Sequence, residues 1–286
     1  MGTHYKLRDW IPLEKLDWGQ LSRNPLAIRL LEEHPEKIDW NKVSSNENAI
    51  HLIEKNMDQI SWELLSSNTG AIHILEKNMD QISWFYLSKN EEAVDLLERY
   101  PDKIDWTTIV SNGNPKILPL IEKNIDQIHI PSLVLNPHSF EMIIDYNLIS
   151  ENISKWLWWY LGQSPHIEHF WKYFENDCCW YHISENPAAI NILEQNLDKV
   201  CWKTMSSNPA AIHLLKESPQ KIDWFLLSSN PAIFEIDYQF LADRISIFKE
   251  ELIQQVFHPR KLCYYLDKYD YDIGDDEYLG EDFQES

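Results

Sequence analysis

Glycine, cysteine and positive charge are all in short supply in this chain of 286 residues. Only 7 residues are glycine, which leaves few flexible joints and no glycine-rich loop of the kind that holds phosphate groups. The 4 cysteines form no CxxC pair, and the neighbours Cys178 and Cys179 cannot easily close a relaxed disulfide. We therefore expect reduced thiols in an intracellular protein.

Long apolar runs are missing as well. The first residues lack the apolar stretch of about 7 to 15 residues that a signal peptide needs, and no window approaches the roughly 18 apolar residues of a membrane span. The sequence also has no HExxH or GxSxG motif and no Cys/His/Asp spacing that would carry a reaction. These absences predict a cytoplasmic protein that is not an enzyme, holds no cofactor and does not bind membranes.

Basic residues number 25 against 46 acidic ones, which gives a formal net charge of -21. Affinity for nucleic acids rests largely on lysine and arginine side chains that neutralise phosphates, so this balance disfavours a nucleic-acid partner. A basic protein fits the charge better. We therefore expect a protein partner that is positively charged.

What the sequence has in quantity is one phrase of 22 residues, repeated about ten times. Tryptophans lie 22 residues apart at positions 18, 40, 62, 84 and 106, and the same spacing returns at 158, 180, 202 and 224. A fixed period of this length is typical of stacked repeats, in which each unit buries its apolar face against its neighbours. We number the positions within a unit from its tryptophan, which is +0.

Within one unit, apolar residues recur at +3, +9 or +10, +12, +13 and +20, which suits two short helices. Asp or Ser precedes most tryptophans, as at Asp39, Ser61 and Ser83, and can cap a first helix of about two turns. Position +6 is Asn in nine of ten units and +7 is Pro in six, a pair that opens a second helix. In the fifth unit Asn112 holds +6 and Asn114 precedes the proline, which indicates an insertion of two residues.

About ten such 22-residue helical hairpins predict an all-α fold, a right-handed α-solenoid with a C-terminal helical cap. The expected domains are an N-terminal cap over 1–17, the repeat array over 18–235, the C-terminal helical cap over 236–269 and an acidic tail over 270–286. The array should be irregular over 107–157, where Ile130 takes the tryptophan position. The tail is either a solvated end or a docking segment for a basic partner.

The repeated tryptophans have two interpretations. One indole per unit, at fixed spacing beside Ile and Leu, is typical of a buried core, where truncation to Ala costs about 3–5 kcal/mol. An exposed row of indoles could instead stack nucleobases. We expect the core.

An aromatic stretch interrupts the repeats at 156–160, which reads Trp-Leu-Trp-Trp-Tyr, and a second aromatic group follows at 170–174. Together they hold more aromatic area than one hairpin can bury. Either the joint is repacked and changes the curvature of the array, or part of it is an exposed hot spot for a partner. Trp158 and Phe170 fit core positions, which leaves Trp156, Trp159 and Trp171 as the candidates for partner binding.

Position +11 is polar along the chain and reads Arg29, His51, His73 and Asp95 in the first four units. Equivalent residues of stacked helices lie about 8–10 Å apart, so these side chains should form a stripe on one face. Neighbouring histidines can titrate near neutral pH or bind a metal, but the spacing offers no third ligand and no metal site is predicted. The stripe is either a solvent-facing row that tolerates any polar residue or a second patch for partner binding.

Three further features occur together: the opening segment 7–18, the recurring phrase Leu-Ser-x-Asn-Pro-x-Ala-Ile-x-Leu-Leu-Glu, and the closing segments 257–260 (Phe-His-Pro-Arg) and 271–273 (Tyr-Asp-Ile). They resemble the repeat proteins that giant viruses with large DNA genomes encode in many copies. The resemblance spans nearly the whole chain. It implies expression inside an infected host cell, and it assigns no catalytic or binding residue.

The predicted function rests on the surface of the array, because no pocket chemistry is visible in the sequence. A protein-binding scaffold fits best, with variable residues at +1, +2, +8 and +11 carried on a constant framework. The alternatives are a structural component of a virion or viral factory, and a nucleic-acid-binding repeat protein that reads one base per unit. The expected location is the cytoplasm of the infected host cell, or the virion in the structural alternative.

Overall fold

A computed structural model describes residues 4–145, 157–171, 180–256 and 258–269. These residues are mainly helical, and the predicted all-α class is confirmed. Trp156 and the tail 270–286 lie outside the described residues. Among the helices that the structure describes, none combines the length and the apolar character that crossing a membrane requires.

Seventeen short α-helices and two longer ones, together with short 3-10 turns, account for most of the described residues. The helices are α1 (Trp18–Arg23), α2 (Ile28–Glu33), α3 (Trp40–Val43), α4 (Ile50–Ile53), α5 (Trp62–Ser66), α6 (Ile72–Leu75), α7 (Trp84–Leu87), α8 (Val94–Arg99), α9 (Leu118–Lys123), α10 (Phe140–Asp145), α11 (Leu157–Gln163), α12 (Ile167–Phe170), α13 (Trp180–Glu185), α14 (Ile190–Glu194), α15 (Trp202–Met205), α16 (Ile212–Glu217), α17 (Trp224–Ser228), α18 (Tyr238–Val256) and α19 (Pro259–Tyr269). Two strands, β1 (Tyr5–Leu7) and β2 (Phe234–Ile236), pair in a two-stranded sheet.

The chain divides into two compact units, residues 7–235 and residues 1–6 with 236–286. The first contains all the repeats. The second contains α18 and α19, which confirm the helices predicted beyond the repeats. In this second unit the Asp237 amide donates to the His4 carbonyl at 2.9 Å, and the His4 ring lies 3.9 Å from that of Phe240. The capping role of 236–269 stays a prediction.

A repeat unit consists of a first α-helix, a second helix that begins as a 3-10 turn, and in most units a further 3-10 turn. In the second unit Asp39 caps α3 by accepting from the Lys42 amide at 3.1 Å, and Asn46 opens the second helix by accepting from the Asn48 amide at 3.1 Å. Both kinds of cap were predicted. The first helix is shorter than predicted, with four residues in α3. At Ser83 the predicted cap is wrong, since its hydroxyl makes no such bond.

The core of the regular units lies at +3, +9 and +13. In the third unit these are Leu65, Ala71 and Leu75, and each has no exposed surface. Alanine at +9 is small enough for the second helices of adjacent units to approach closely. These three positions, and not the tryptophans, form the enclosed interior.

The eight tryptophans at +0 whose side chains the structure describes are half-buried, so the prediction of an indole core is wrong for them. Over four of these rings lies a lysine side chain, whose ammonium group keeps contact with water while it lies over an aromatic face. The Lys221 ammonium lies 4.1 Å from the ring centre of Trp202, and Lys37 lies 4.4 Å from that of Trp18. Each indole therefore has a packed side and a side open to solvent.

Buried asparagines at +6 connect each unit to the one before it. Asn68 Nδ2 donates to the carbonyls of Ser44 at 2.9 Å and Asn46 at 3.0 Å, while its Oδ1 accepts from the Gly70 amide. We call the +6 residues the asparagine ladder: Asn24, Asn46, Asn68, Asn90, Asn112, Asn136, Asn186, Asn208 and Asn230. A buried polar group left without a partner costs about 1–3 kcal/mol, so each side chain holds two units in register.

A second buried row, at +4, strengthens the same connection. Ser66 Oγ donates to the Trp62 carbonyl at 2.7 Å and accepts from the Ser83 amide of the next unit at 3.0 Å. We call this set the serine row: Ser22, Ser44, Ser66, Ser88, Ser184, Ser206 and Ser228. It was not predicted from the sequence, although serine recurs at the same spacing as the tryptophans.

The predicted two-residue insertion in the fifth unit is confirmed. Asn112 keeps its place in the asparagine ladder by donating to the carbonyls of Ser88 and Asn90. Asn114 caps the 3-10 turn Pro115–Ile117 by accepting from the Lys116 amide at 3.0 Å. In regular units one asparagine performs both tasks, and here the two are divided between two side chains.

Ser164 interrupts the ladder because a hydroxyl has a single proton to donate. It bonds to the Val134 carbonyl, and His166 Nε2 lies 3.2 Å from the Asn136 carbonyl. Two side chains therefore serve the two acceptors that one asparagine would serve. Burial lowers the pKa of His166, the hydrogen bond with Asn136 opposes this shift, and the charges of His169 and His138 lower the pKa further.

The two ends of the repeat array bond to each other. Asn24 Nδ2 donates to the carbonyls of Ser228 at 3.2 Å and Asn230 at 3.0 Å, and the Asp17 amide donates to Ser228 Oγ at 2.8 Å. These are the bonds that consecutive units form elsewhere. The tenth unit therefore bonds to the first in the way that each unit bonds to the next one along the chain. The array is thus a closed circuit instead of the open solenoid that was predicted.

Residues near the start of the chain complete the tenth unit. The 3-10 turn Leu13–Lys15 takes the place that Pro35–Lys37 has in the first unit, and Leu16 is buried. The Lys15 ammonium lies 4.7 Å from the ring centre of Trp224, as Lys37 does at Trp18. Part of the segment 1–17, expected to be a terminal cap, therefore belongs to the repeat circuit.

Candidate partner-binding surfaces

The predicted stripe at +11 lies on the second helices, and its four residues are exposed. His51 Nε2 lies 2.8 Å from Glu32 Oε1, and His73 Nε2 lies 3.1 Å from Glu54 Oε1. In each pair the glutamate belongs to the preceding unit at +14. The stripe therefore bridges neighbouring units across their surface.

The ends of the stripe differ from this pattern. Arg29 bonds to Glu33 of its own helix at 3.0 Å, and Asp95 has no glutamate partner. At that point Arg99 forms the ion pair with Glu76 of the preceding unit. In the second half of the chain His213 pairs with Glu194 at 2.8 Å.

Such pairs leave the stripe with few groups free to act on a ligand. The polar groups are arranged along a line and are bonded to each other, whereas a reaction centre needs convergent groups in a pocket. Within the described residues, no group of three or more His, Cys, Asp or Glu side chains could hold a metal ion. The stripe can contribute charge to a partner's surface, and its geometry offers no chemistry beyond that.

The predicted tryptophan patch divides into different environments. Trp159 is 46% exposed, whereas Trp171 is half-buried, with its ring 5.7 Å from that of Trp180. Trp156 lies outside the described residues. Of the three candidates, Trp159 is the one that the structure shows at the surface.

Trp159 belongs to a surface row that the sequence analysis did not single out. It occupies +1, the first position after the repeat tryptophan, and aromatic residues hold the same position at Phe85, Tyr181 and Phe225. These four side chains are between 44% and 51% exposed. The sequence already shows that +1 is a variable position. Whether the rings at +1 are exposed depends on how the first helices pack.

Trp159 and Tyr181 lie on adjacent units and share one neighbour. The ring of His182 is 5.7 Å from that of Trp159 and 5.1 Å from that of Tyr181, in T-shaped geometry with both. Glu185 Oε1 lies 3.4 Å from His182 Nδ1 and holds this imidazole on α13. We call Trp159, Tyr181, His182 and Glu185 the aromatic site.

Comparison with known proteins adds no identification. No protein-family model matches the chain, and neither the curated proteins nor the solved structures contain a match to it.

Proposed function

We propose that this protein is a non-enzymatic scaffold that binds a basic protein partner. The observation that carries the proposal is the row of exposed aromatic residues at +1, held on a framework in which buried asparagines bond one unit to the next. Tryptophan and tyrosine contribute most to binding energy at protein interfaces. Their exposure on a rigid surface is therefore most simply explained by a partner.

The framework supports the proposal through its rigidity. The asparagine ladder and the serine row connect most neighbouring units, and Asn24 connects the first unit to the tenth, so the +1 side chains are carried at fixed intervals. A binding surface that is already ordered loses less entropy when a partner arrives. A closed repeat circuit is well suited to this role.

The charge supports a basic partner. The chain has a net charge of -21, and complementary charge accelerates association and rejects partners of the wrong sign. The same charge weakens the case for nucleic acid, since phosphate contacts need lysine and arginine in excess.

The origin and location of the protein are also proposals. The resemblance to the repeat proteins of giant viruses supports expression in the cytoplasm of an infected host cell, with a host or viral protein as the partner. The reduced-cysteine interpretation agrees with this location.

A peptide-display selection tests the proposal directly. The full chain is immobilised and exposed at about physiological ionic strength to a library of random displayed peptides, and the retained sequences are read. We expect retained peptides to be enriched in lysine and arginine. Enrichment no greater than on the bare support, or equal retention of acidic and basic peptides, would overturn the proposal.

The nucleic-acid alternative is tested on the same preparation. Filter binding at low salt, where phosphate contacts are strongest, should retain neither single-stranded RNA nor single-stranded DNA. Retention of either would favour the alternative over a protein partner.

A further inference from the structure

The exposed rings at +1 differ in what lies over them. The Lys89 ammonium is 4.6 Å from the ring centre of Phe85, and the Lys42 ammonium is 5.9 Å from that of Phe225. Lys42 reaches Phe225 across Gly19, where a Cβ atom would lie only 2.5 Å from its Nζ. Two of the four +1 aromatics thus have a lysine of the same chain over them.

Trp159 and Tyr181 have no such lysine or arginine among the described residues. Their ring neighbours are Tyr160 and His182, and both rings remain about half exposed. They are therefore the +1 rings whose faces are open to a cation from another molecule.

For Phe85, the residue four positions later in the chain supplies the lysine that covers the ring, and Trp159 and Tyr181 have other residues there. Lys89 stands four residues after Phe85 on the same turn of chain, which is the spacing that brings two helical side chains together. The equivalent residue after Trp159 is Gln163, and the one after Tyr181 is Glu185. A carboxylate thus occupies the place where Phe85 has an ammonium.

We propose that the aromatic site binds an arginine or lysine side chain in a basic segment of the protein partner, with Trp159 and Tyr181 as the aromatic contacts and Glu185 as the counter-charge. The inference rests on the proposed function and names the chemistry of its partner at one site. A cation over an aromatic face is attracted by the quadrupole of the ring, and a nearby carboxylate neutralises its charge.

Fluorescence anisotropy with a labelled hexa-arginine peptide, at physiological ionic strength, tests the site in the full chain. Replacing both rings, Trp159→Ala with Tyr181→Ala, should weaken binding about tenfold, because two cation–π contacts are lost. The matched control is Phe85→Ala, which removes an exposed +1 ring already covered by Lys89. It should change the affinity by less than about twofold.

A second variant keeps the rings and covers one of them. Gln163→Lys places an ammonium four residues after Trp159, as in the pair of Phe85 and Lys89, and should also weaken binding of the peptide. Its control is Ser67→Lys, which adds the same charge at the same register position beside Glu63, where +1 has no ring. This arm keeps the proposal testable if the double alanine variant does not fold.

The outcomes separate the inference from the function on which it rests. Equal losses in the aromatic-site variants and their controls, or no loss in any of them, would overturn the aromatic site while leaving a basic partner in place. Absence of binding to the unaltered protein, together with a display selection that enriches no basic peptide, would overturn both.

Discussion

Two polar rows run through the repeats, the asparagine ladder at +6 and the stripe at +11, and side chains of both join one unit to the next. Asn68 is 1% exposed and bonds to backbone carbonyls, whereas the side chains of His51 and Glu32 are 46% and 49% exposed and bond to each other. A buried acceptor that loses its donor has no water to replace it, while an exposed ion pair is continually solvated. Contacts that recur with the same period therefore contribute more to stability when they are buried than when they are exposed.

The largest effect is expected in the ladder. Asn68→Ala removes three hydrogen bonds, so that the Ser44 carbonyl loses its donor and the Asn46 carbonyl keeps the Ala49 amide alone, which should destabilise the fold by about 3 kcal/mol. Urea unfolding followed by circular dichroism measures the change. Asn48→Ala is the matched control, because Asn48 also donates to a carbonyl of the preceding unit but is exposed. It should cost less than about 1 kcal/mol, and equal costs would remove the distinction between the rows.

The closing contact of the circuit should be as strong as an internal one. Asn24→Ala removes the bonds to Ser228 and Asn230, so we expect a cost of about 3 kcal/mol, similar to that of Asn68→Ala. The same urea titration compares the two variants. A cost below about 1 kcal/mol would show that the first and last units are apart in solution.

The serine row should have an intermediate weight. Ser66→Ala removes one donated bond and takes away the acceptor of the part-buried Ser83 amide, for an expected cost of about 1–2 kcal/mol. Ser67→Ala is the neighbouring control, since Ser67 Oγ only donates to the Leu64 carbonyl and joins no other unit. Thermal unfolding of both variants gives the comparison, and the ranking fails if Ser67→Ala is the more damaging.

His166, which together with Ser164 takes the place of one ladder asparagine, should make the stability of the fold sensitive to acid. The folded state lowers the pKa of this imidazole below its usual 6.5, so the folded protein binds fewer protons here than the unfolded chain does. Its stability contribution is complete above pH 6.5 and is lost as the pH falls through the lowered pKa of the folded state.

Unfolding midpoints between about pH 8 and pH 5, compared with those of His166→Gln, isolate this contribution. A glutamine can still donate to the Asn136 carbonyl but does not titrate. The unaltered protein should therefore lose more stability than the variant as the pH falls. Parallel curves would contradict a lowered pKa of His166 in the folded state.

The smallest effect is expected in the stripe. Replacing His51 and His73 together with Ala breaks two inter-unit pairs, yet each pair is about half exposed. The combined cost should be less than about 1 kcal/mol and should shrink further at high salt. Urea unfolding at two salt concentrations measures this. A cost as large as that of Asn68→Ala would show that the outer row is structural too.

The repeat unit itself could be predicted because its signals are local. Asp39 before a tryptophan and Asn46 at +6 indicate helix starts from their own chemistry, and the two-residue insertion after Asn112 is visible from spacing alone. The length of the first helix was overestimated, since the asparagine at +6 ends it almost as soon as it forms.

The surfaces were harder to predict than the unit. A tryptophan at +0 looks like core in a pattern of apolar residues, but Trp18 is half-buried and the side chain over its ring is Lys37, nineteen residues later. Of the predicted binding residues, Trp159 is at the surface and Trp171 is half-buried, while Tyr181 was not selected. Exposure depends on neighbours that come together only after folding.

By itself, the sequence determined the period of 22 residues, the all-helical class, the caps and the position of each ladder residue within its unit, because all of these follow from spacing along one stretch of chain. Only the tertiary structure decided that Asn24 meets Asn230, that Lys15 covers Trp224, and that Trp159 and Tyr181 stay open to solvent. Closure depends on small rotations between units that add up around the whole array. No single repeat encodes their sum.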